Sequence, residues 1–390
     1  MSISRWLLVV GAVLAVMFTA SFLAAPSGWA EAQQWADRQE EQRLRQLRPC
    51  PVLVGTAESG EMREEMAVAA SLAKGVDRAG RLAGFATNLT LLDGELAESD
   101  RSLLHAMQPA VLALRKAARQ RGTARTRSPE LLEVIDLLDA CNALLAQAYV
   151  QRATDPNAAC EQLLDGARIA AELMQGVTLV ETAVGAQILE RCVVTLGDTM
   201  LPGLPRERLQ WLEKALREVD ASLPEDPAMA QWYACDLVSV VRDPERFAGR
   251  MPTSSLRAWR YGFSENRRLR AVATSVVEAI HRSATTPPGA TVPWSVRRLE
   301  LEQATRAVAT VGLAFHEGGG MDFVNLEQGV RRAAAQVRLV RLAVAFSAGS
   351  ELPTLRDPLG DGDFLVKVEG DVATFASAEA GLPVRKSERR

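Results

Sequence analysis

Histidine and cysteine are scarce, and their scatter removes most metal and thiol chemistry from the chain. His105, His281 and His316 lie far apart with no His-Glu-x-x-His, so no zinc signature exists and neither a metal nor any other cofactor is expected. Cys50, Cys141, Cys160, Cys192 and Cys235 form an odd set without a C-x-x-C pair. Cys141 and Cys160 flank a turn near Ala153 and Thr154 but sit at unequal distances from it, offset by about 9 Å along their helices, which disfavours a bridge. Most of the five are expected as small buried apolar residues. A dominant charge sign is also missing. With 45 basic and 48 acidic side chains the formal net charge is -3, which supplies no electrostatic case for nucleic acid. Gly318, Gly319 and Gly320 have no following lysine and hydroxyl residue, which excludes a nucleotide loop, and Ser254, Ser255 and Ser264 lack a nucleophile-elbow framework. Hydrophobic residues make up 48% of the chain, which excludes general disorder.

Long apolar runs are missing too, apart from one. Residues 6–25 are almost unbroken in hydrophobicity and follow Arg5, enough for a helix to cross a bilayer. Arg5 before the run and Glu31 and Asp37 after it predict a single-pass inner-membrane protein with its bulk in the periplasm. Ala30, Glu31 and Ala32 form a small-x-small triplet, so the alternative is cleavage near Ala32 and a soluble periplasmic or secreted chain. Export makes an envelope protein and the inner membrane the expected partners and disfavours nucleic acid further.

Beyond that segment the spacing is helical. Asp155-Pro156, Asp226-Pro227, Asp243-Pro244 and Ser128-Pro129 each place a cap before a proline at the first helical position. Leu209, Leu212, Leu216 and Val219 recur at three and four, and Leu326, Val330, Ala333, Val337, Val340 and Val344 form a longer stripe. These signals predict helices over 33–47, 58–83, 91–120, 129–152, 156–175, 178–198, 205–221, 227–241, 254–282, 295–315 and 322–347, with Pro109 dividing the third. Two short strands are predicted about the turn Glu369, Gly370 and Asp371. The fold class is therefore all-α, an irregular antiparallel bundle or α-solenoid-like set of helix pairs, with a small C-terminal β-hairpin. The expected segments are a signal anchor or signal peptide at 1–32, an N-terminal helical region at 33–120, a main helical domain at 128–350, a hairpin extension at 351–380 and a flexible tail at 381–390.

Short pieces carry a resemblance. The stretches 163–170 and 176–181 and the Asp357-Pro358-Leu359-Gly360 turn before the hairpin resemble a group of exported helical bacterial proteins, and the C-terminal part looks like the end of type II secretion pseudopilins. That resemblance implies an exported helical body and a secretion or pilus-associated role, and it assigns no reaction. Gly176 to Glu181 also echoes the start of pilins, but the motif is internal and Gln187, Glu190 and Arg191 follow it.

Two sets of residues are candidate sites. Asp165, Arg168 and Glu172 fall at i, i+3 and i+7 on one helical face, and an antiparallel neighbour brings Glu181 towards Glu172. Asp165, Glu172 and Glu181 would then serve a carboxylate-dependent hydrolase acting on an envelope polymer, or the same charges would brace one helix against others. The second set is an interaction patch of Arg257, Trp259, Arg260, Arg267, Arg268, Arg338 and Arg341, with Trp294, Arg297, Arg298 and Arg331 adjoining it in pattern. Cations interleaved with aromatics suit an anionic partner, while arginines that pair with acids and lie along packed helices serve structure alone. The overall expectation is a non-enzymatic scaffold or interaction protein.

Overall fold

The computed structural model describes residues 28–46, 48, 50–94, 96–122, 133–176, 178–224, 227–242, 263–283, 292–310, 322–378, 382 and 384–389, with the backbone alone at 46, 121, 263–269 and 310. The chain is predominantly helical, ending in a small antiparallel sheet. Two compact units interleave along it: residues 1–43, 228–290 and 298–324 form one, and residues 44–227, 291–297 and 325–390 the other.

The smaller unit contains most of α1 (Trp29–Gln46), α10 (Met229–Arg242), α11 (Phe263–Ser283) and the bulk of α12 (Trp294–Thr310). Trp29, Ala32, Trp35 and Ala36 bury one side of α1, so the Ala30–Ala32 triplet is part of a packed helical turn. The Arg43 guanidinium stacks 4.1 Å from the Trp232 ring centre, and Arg242 pairs with Asp37 at 2.9 Å.

The larger unit carries α2 (Met62–Ala73), α3 (Arg81–Thr87), α4 (Glu98–Ala106), α5 (Gln108–Ala117), α6 (Val134–Gln151), α7 (Pro156–Met174), α8 (Leu179–Thr195), α9 (Arg206–Ser222) and nearly all of α13 (Phe323–Ser347). Asp155 caps α7 by accepting from the Ala158 N–H at 2.9 Å, with Pro156 first in the helix, as the Asp-Pro signal predicts. The expected helix over 58–83 is broken instead. Glu58–Glu61 is a short strand, β1, paired in parallel with β2 (Gln120–Arg121), and left-handed Gly75 and Gly80 flank a turn in which the Asp77 carboxylate takes the Arg81 and Leu82 N–H groups. Near Pro109 the chain divides into α4 and α5, because the ring is tolerated in a first turn and not inside a helix.

α7 is the axis of this unit. From Leu163 to Met174 every residue is buried, including Leu163, Leu164, Ile169 and Leu173 and the charged Asp165, Arg168 and Glu172. A helix covered on all sides has no solvent face on which to hydrate charge, so its ionic groups must be matched by neighbouring elements.

The sheet runs β3 (Leu365–Glu369), β4 (Val372–Ala376), β5 (Arg385–Glu388). Gly370 takes the positive φ at the first central position of the β3–β4 turn, as a type II′ hairpin needs. β5 corrects the expectation of a flexible tail. Arg385 reaches Asp198 at 2.7 Å and Gln336 at 3.2 Å, and Ser387 bonds the Ala343 carbonyl and the Ser347 hydroxyl, so this polar segment is fixed by partners on α13 and beyond α8.

Among the described residues no helix is long and apolar enough to cross a membrane. α11 and α13 have the length but carry charges along it. The run 6–25 lies outside the described residues. This finding corrects the expectations of a transmembrane signal anchor, a single-pass inner-membrane location, an inner-membrane contact through residues 6–25 and the envelope partner that followed from them.

Cys50, Cys141, Cys160 and Cys192 are buried free thiols, whereas Cys235 is part-exposed. Burial pushes Cys50 up to about 11 and Cys160 and Cys192 up to about 12, which keeps them protonated and unreactive at neutral pH. One thiol per native chain is therefore expected to react with Ellman's reagent at pH 8, and Cys235→Ser removes that reaction. The other four should react only after denaturation, and fast labelling of more than one native thiol would contradict this packing.

Candidate functional site

The members of the two sets whose side chains are described fall at two places in the larger unit, and one of these is open to solvent. The first is the charged face of α7. Arg168, 1% exposed, directs its five N–H donors at five backbone carbonyls: Nε to Pro51 at 2.7 Å, Nη1 to Ala117 at 3.3 Å and Ala118 at 2.9 Å, and Nη2 to Cys50 at 3.0 Å and Gln120 at 2.7 Å. Two of these carbonyls end α5, where the helix dipole favours a cation. Burial pulls the Arg168 pKa down, while Cys50, Glu172 and Asp165 nearby act to raise it.

The acids of this face take other arginines. Asp165 pairs with Arg115 at 3.2 Å. Arg63 of α2 holds Glu181 through two contacts of 3.3 Å and approaches Glu172 at 3.9 Å, so Glu172 and Glu181 do meet, on one shared guanidinium. Thr178 caps α8 by accepting from the Glu181 N–H at 3.2 Å, so the pilin-like hexapeptide is here the start of an internal helix. Asp165, Glu172 and Glu181 are each 1% exposed. Desolvation raises the Asp165 carboxyl to about 6, against the lowering effect of Arg115 and Arg119. The sequence offered no signal for Arg63 as the shared partner, because 118 residues separate it from Glu181.

The second place is a shallow groove with a cavity volume of about 60 Å³, partly open to solvent, between α13, the start of α12 and the segments around 224–227 and 356–360. Trp294, Arg331, Arg338, Arg356, Pro224 and Pro358 are among its walls. Its arginines are positioned from behind. Arg331 and Arg297 both grip the fully buried Glu327 at 3.0 Å, and Arg331 lies 5.1 Å from the Trp294 ring centre. Arg338 bonds Asp220 at 2.8 Å and the Arg356 carbonyl at 2.9 Å, while Arg341 binds Asp220 at 2.5 Å. The Asp357-Pro358-Leu359-Gly360 turn forms one wall. Asp357 anchors it by accepting from the N–H groups of Leu359 and Ala378 and from the Ser377 hydroxyl.

Two groups at this groove have unmet bonding capacity. The Trp294 indole N–H is buried and donates to no acceptor among the described residues. The exposed Arg356 guanidinium enters no ion pair or hydrogen bond among them. Of the predicted patch, Arg338 lines the groove and Arg341 is buried beside it against Asp220 and Glu213. Arg257, Trp259 and Arg260 lie outside the described residues, and Arg267 and Arg268 are on α11 with the backbone alone described. Sequence pattern named Trp294 and Arg331 as neighbours of the patch but not Arg356, which sits in an irregular segment without periodicity. Among the described residues no three His, Cys, Asp or Glu side chains converge to hold a metal ion.

No family model, curated protein or solved structure matches the chain. The pseudopilin resemblance gains no support from these comparisons.

Two outcomes follow for the α7 face. Arg168→Lys retains the charge but cannot serve five carbonyls, and it should cost about 3–5 kcal/mol in urea unfolding, the range for breaking a buried charged cluster. A variant as stable as the parent would contradict the hub. For Asp165 the folded pKa of about 6 exceeds the unbound value of 3.8, so its contribution to stability is full below pH 3.8 and lost as pH rises through about 6. The stability of the parent relative to Asp165→Asn should therefore fall by about 2–3 kcal/mol between pH 4 and pH 8. A pH-independent difference would contradict the burial argument.

Proposed function

We propose that the chain is a non-enzymatic binding protein that captures an acidic, partly apolar peptide segment of a protein partner in the Trp294–Arg356 groove. The observation that carries this reading is the buried Trp294 N–H, which has no acceptor among the described residues, in the wall of a groove that also presents Arg356, unpaired among those residues. A buried donor left unmet costs about 1–3 kcal/mol, which a ligand carbonyl or carboxylate would recover. Arg331 and Arg338 are already fixed by Glu327 and Asp220, so their ordering costs little when a ligand arrives. Prolines, Val292, Val330 and Ala334 supply an apolar bed for the rest of such a segment.

A second reading, hydrolysis through carboxylates, has one observation in its favour: Asp165 at about 6 lies where a general acid works. Its acids are enclosed by α7, α8 and paired arginines, so substrate would have to enter by opening the helices.

A soluble library of short acidic peptides, titrated calorimetrically against the full chain, separates the readings. Arg356→Glu is expected to weaken the best peptide about tenfold or more, equal to about 1.4 kcal/mol, and Trp294→Phe to weaken it several-fold with the fold unchanged. Asp165→Asn should leave peptide affinity alone. No acidic ligand, or equal affinity after Arg356→Glu, would sink the binding reading, and turnover abolished by Asp165→Asn in a folded variant would establish the hydrolytic one.

A further inference from the structure

One outer strand of the C-terminal sheet, β3, has an edge that is complementary to itself. β3 is an outer strand in the order β3-β4-β5, and all five of its residues are exposed, Leu365, Val366 and Val368 among them. The Phe364 N–H points away from β4, to the Leu355 carbonyl. Strand alternation therefore turns the N–H and C=O groups of Val366 and Val368 to the same outer side, where no hydrogen bond reaches them among the described residues. Val366 and Val368 pair across the ladder with Phe375 and Ala373, both buried. The apolar inner face of the sheet thus runs to the edge and stops there uncovered, the arrangement that invites another strand.

We propose that this edge is a homodimer interface, in which β3 strands of two copies pair antiparallel about a two-fold axis through Val368 and join two sheets into one. The register follows from charge. With the axis on Val368, Lys367 lies opposite Glu369 of the second copy, and Glu369 opposite Lys367, on one face of the joined sheet. Moving the axis to Lys367 sets lysine against lysine, and moving it to Val366 sets Lys367 against Leu365. The backbone agrees with the first choice. Val368 presents its N–H and C=O outward, as the central hydrogen-bonded pair of such a ladder requires. Lys367 and Glu369 now pair with each other at 2.6 Å on the exposed surface, a contact of little worth that can be exchanged for the second copy's charges. A second copy is the occupant because the strand bears both halves of the complementarity. The contact is short, so the dimer is a weak one that forms at high concentration. This inference does not rest on the groove.

Val368→Cys in the full chain, combined with Cys235→Ser to remove the one thiol expected to react in the native protein, tests it by mild oxidation. Paired residues at the axis lie about 5.5 Å apart between Cα atoms, within disulfide range, and a disulfide-linked dimer is expected. On that background Lys367→Glu or Glu369→Lys alone faces like charges and should slow cross-linking about tenfold, while the double reversal Lys367→Glu/Glu369→Lys should restore it. Both side chains are mostly exposed, so the reversals leave the fold intact, which circular dichroism checks. A purified chain that stays monomeric, whether β3 then serves a foreign strand or none, would overturn the proposal. So would cross-linking indifferent to the single reversals, or single reversals that the double one fails to rescue.

Discussion

One buried guanidinium ties the backbone at 50–51 to the junction of α5 and β2. Arg168 stands on a helix with no solvent face, and its five donors meet the carbonyls of Cys50, Pro51, Ala117, Ala118 and Gln120. Those carbonyls belong to an entering segment, the end of α5 and β2, stretches with few regular hydrogen bonds of their own. Left unpaired inside the protein, each would cost free energy comparable to a lost hydrogen bond. The planar fork of arginine satisfies all five at once, which neither lysine nor an apolar residue can do. The backbone at Cys50, Ala118 and Gln120 can therefore be buried although it has few regular partners of its own.

The same constraint determines which charges are left for work. Once Arg168 is committed to carbonyls, Asp165 needs Arg115, and Glu172 and Glu181 need Arg63. Arg297 and Arg331 are bound to Glu327, and Arg338 and Arg341 to Asp220. Arg356 is different. It projects from an irregular turn held by Asp357, in a groove it shares with arginines immobilised by their acids and with Trp294, whose indole N–H has no acceptor among the described residues. Structural pairing thus fixes the orientation of the arginines that wall this groove.

Much of the architecture was legible because helix signals are local. Asp155-Pro156, the leucine spacing of α9 and the valine-alanine stripe of α13 lie where the structure forms those helices. Misreadings came where distant partners decide. Gly75 and Gly80 divide a helix that apolar spacing alone would continue, and β5 is ordered by Asp198 and Gln336, which no tail composition reveals. The i, i+3, i+7 spacing put Asp165, Arg168 and Glu172 on one face, yet it could not name the partners that meet them there. Their partners lie on α2, α5 and irregular backbone, and backbone carbonyls have no sequence signature. Arg356 was invisible for a related reason, since it sits in an irregular segment with no periodicity to single it out.

The central claim is a division of labour: the α7 charges are internal structure, and the Trp294–Arg356 groove is the working surface. Hydrogen–deuterium exchange of the full chain with and without a bound acidic peptide tests it most directly. Added protection is predicted at residues 292–296 and 355–361, with exchange in 163–181 unchanged. Protection that appears in 163–181 and spares the groove would contradict the account.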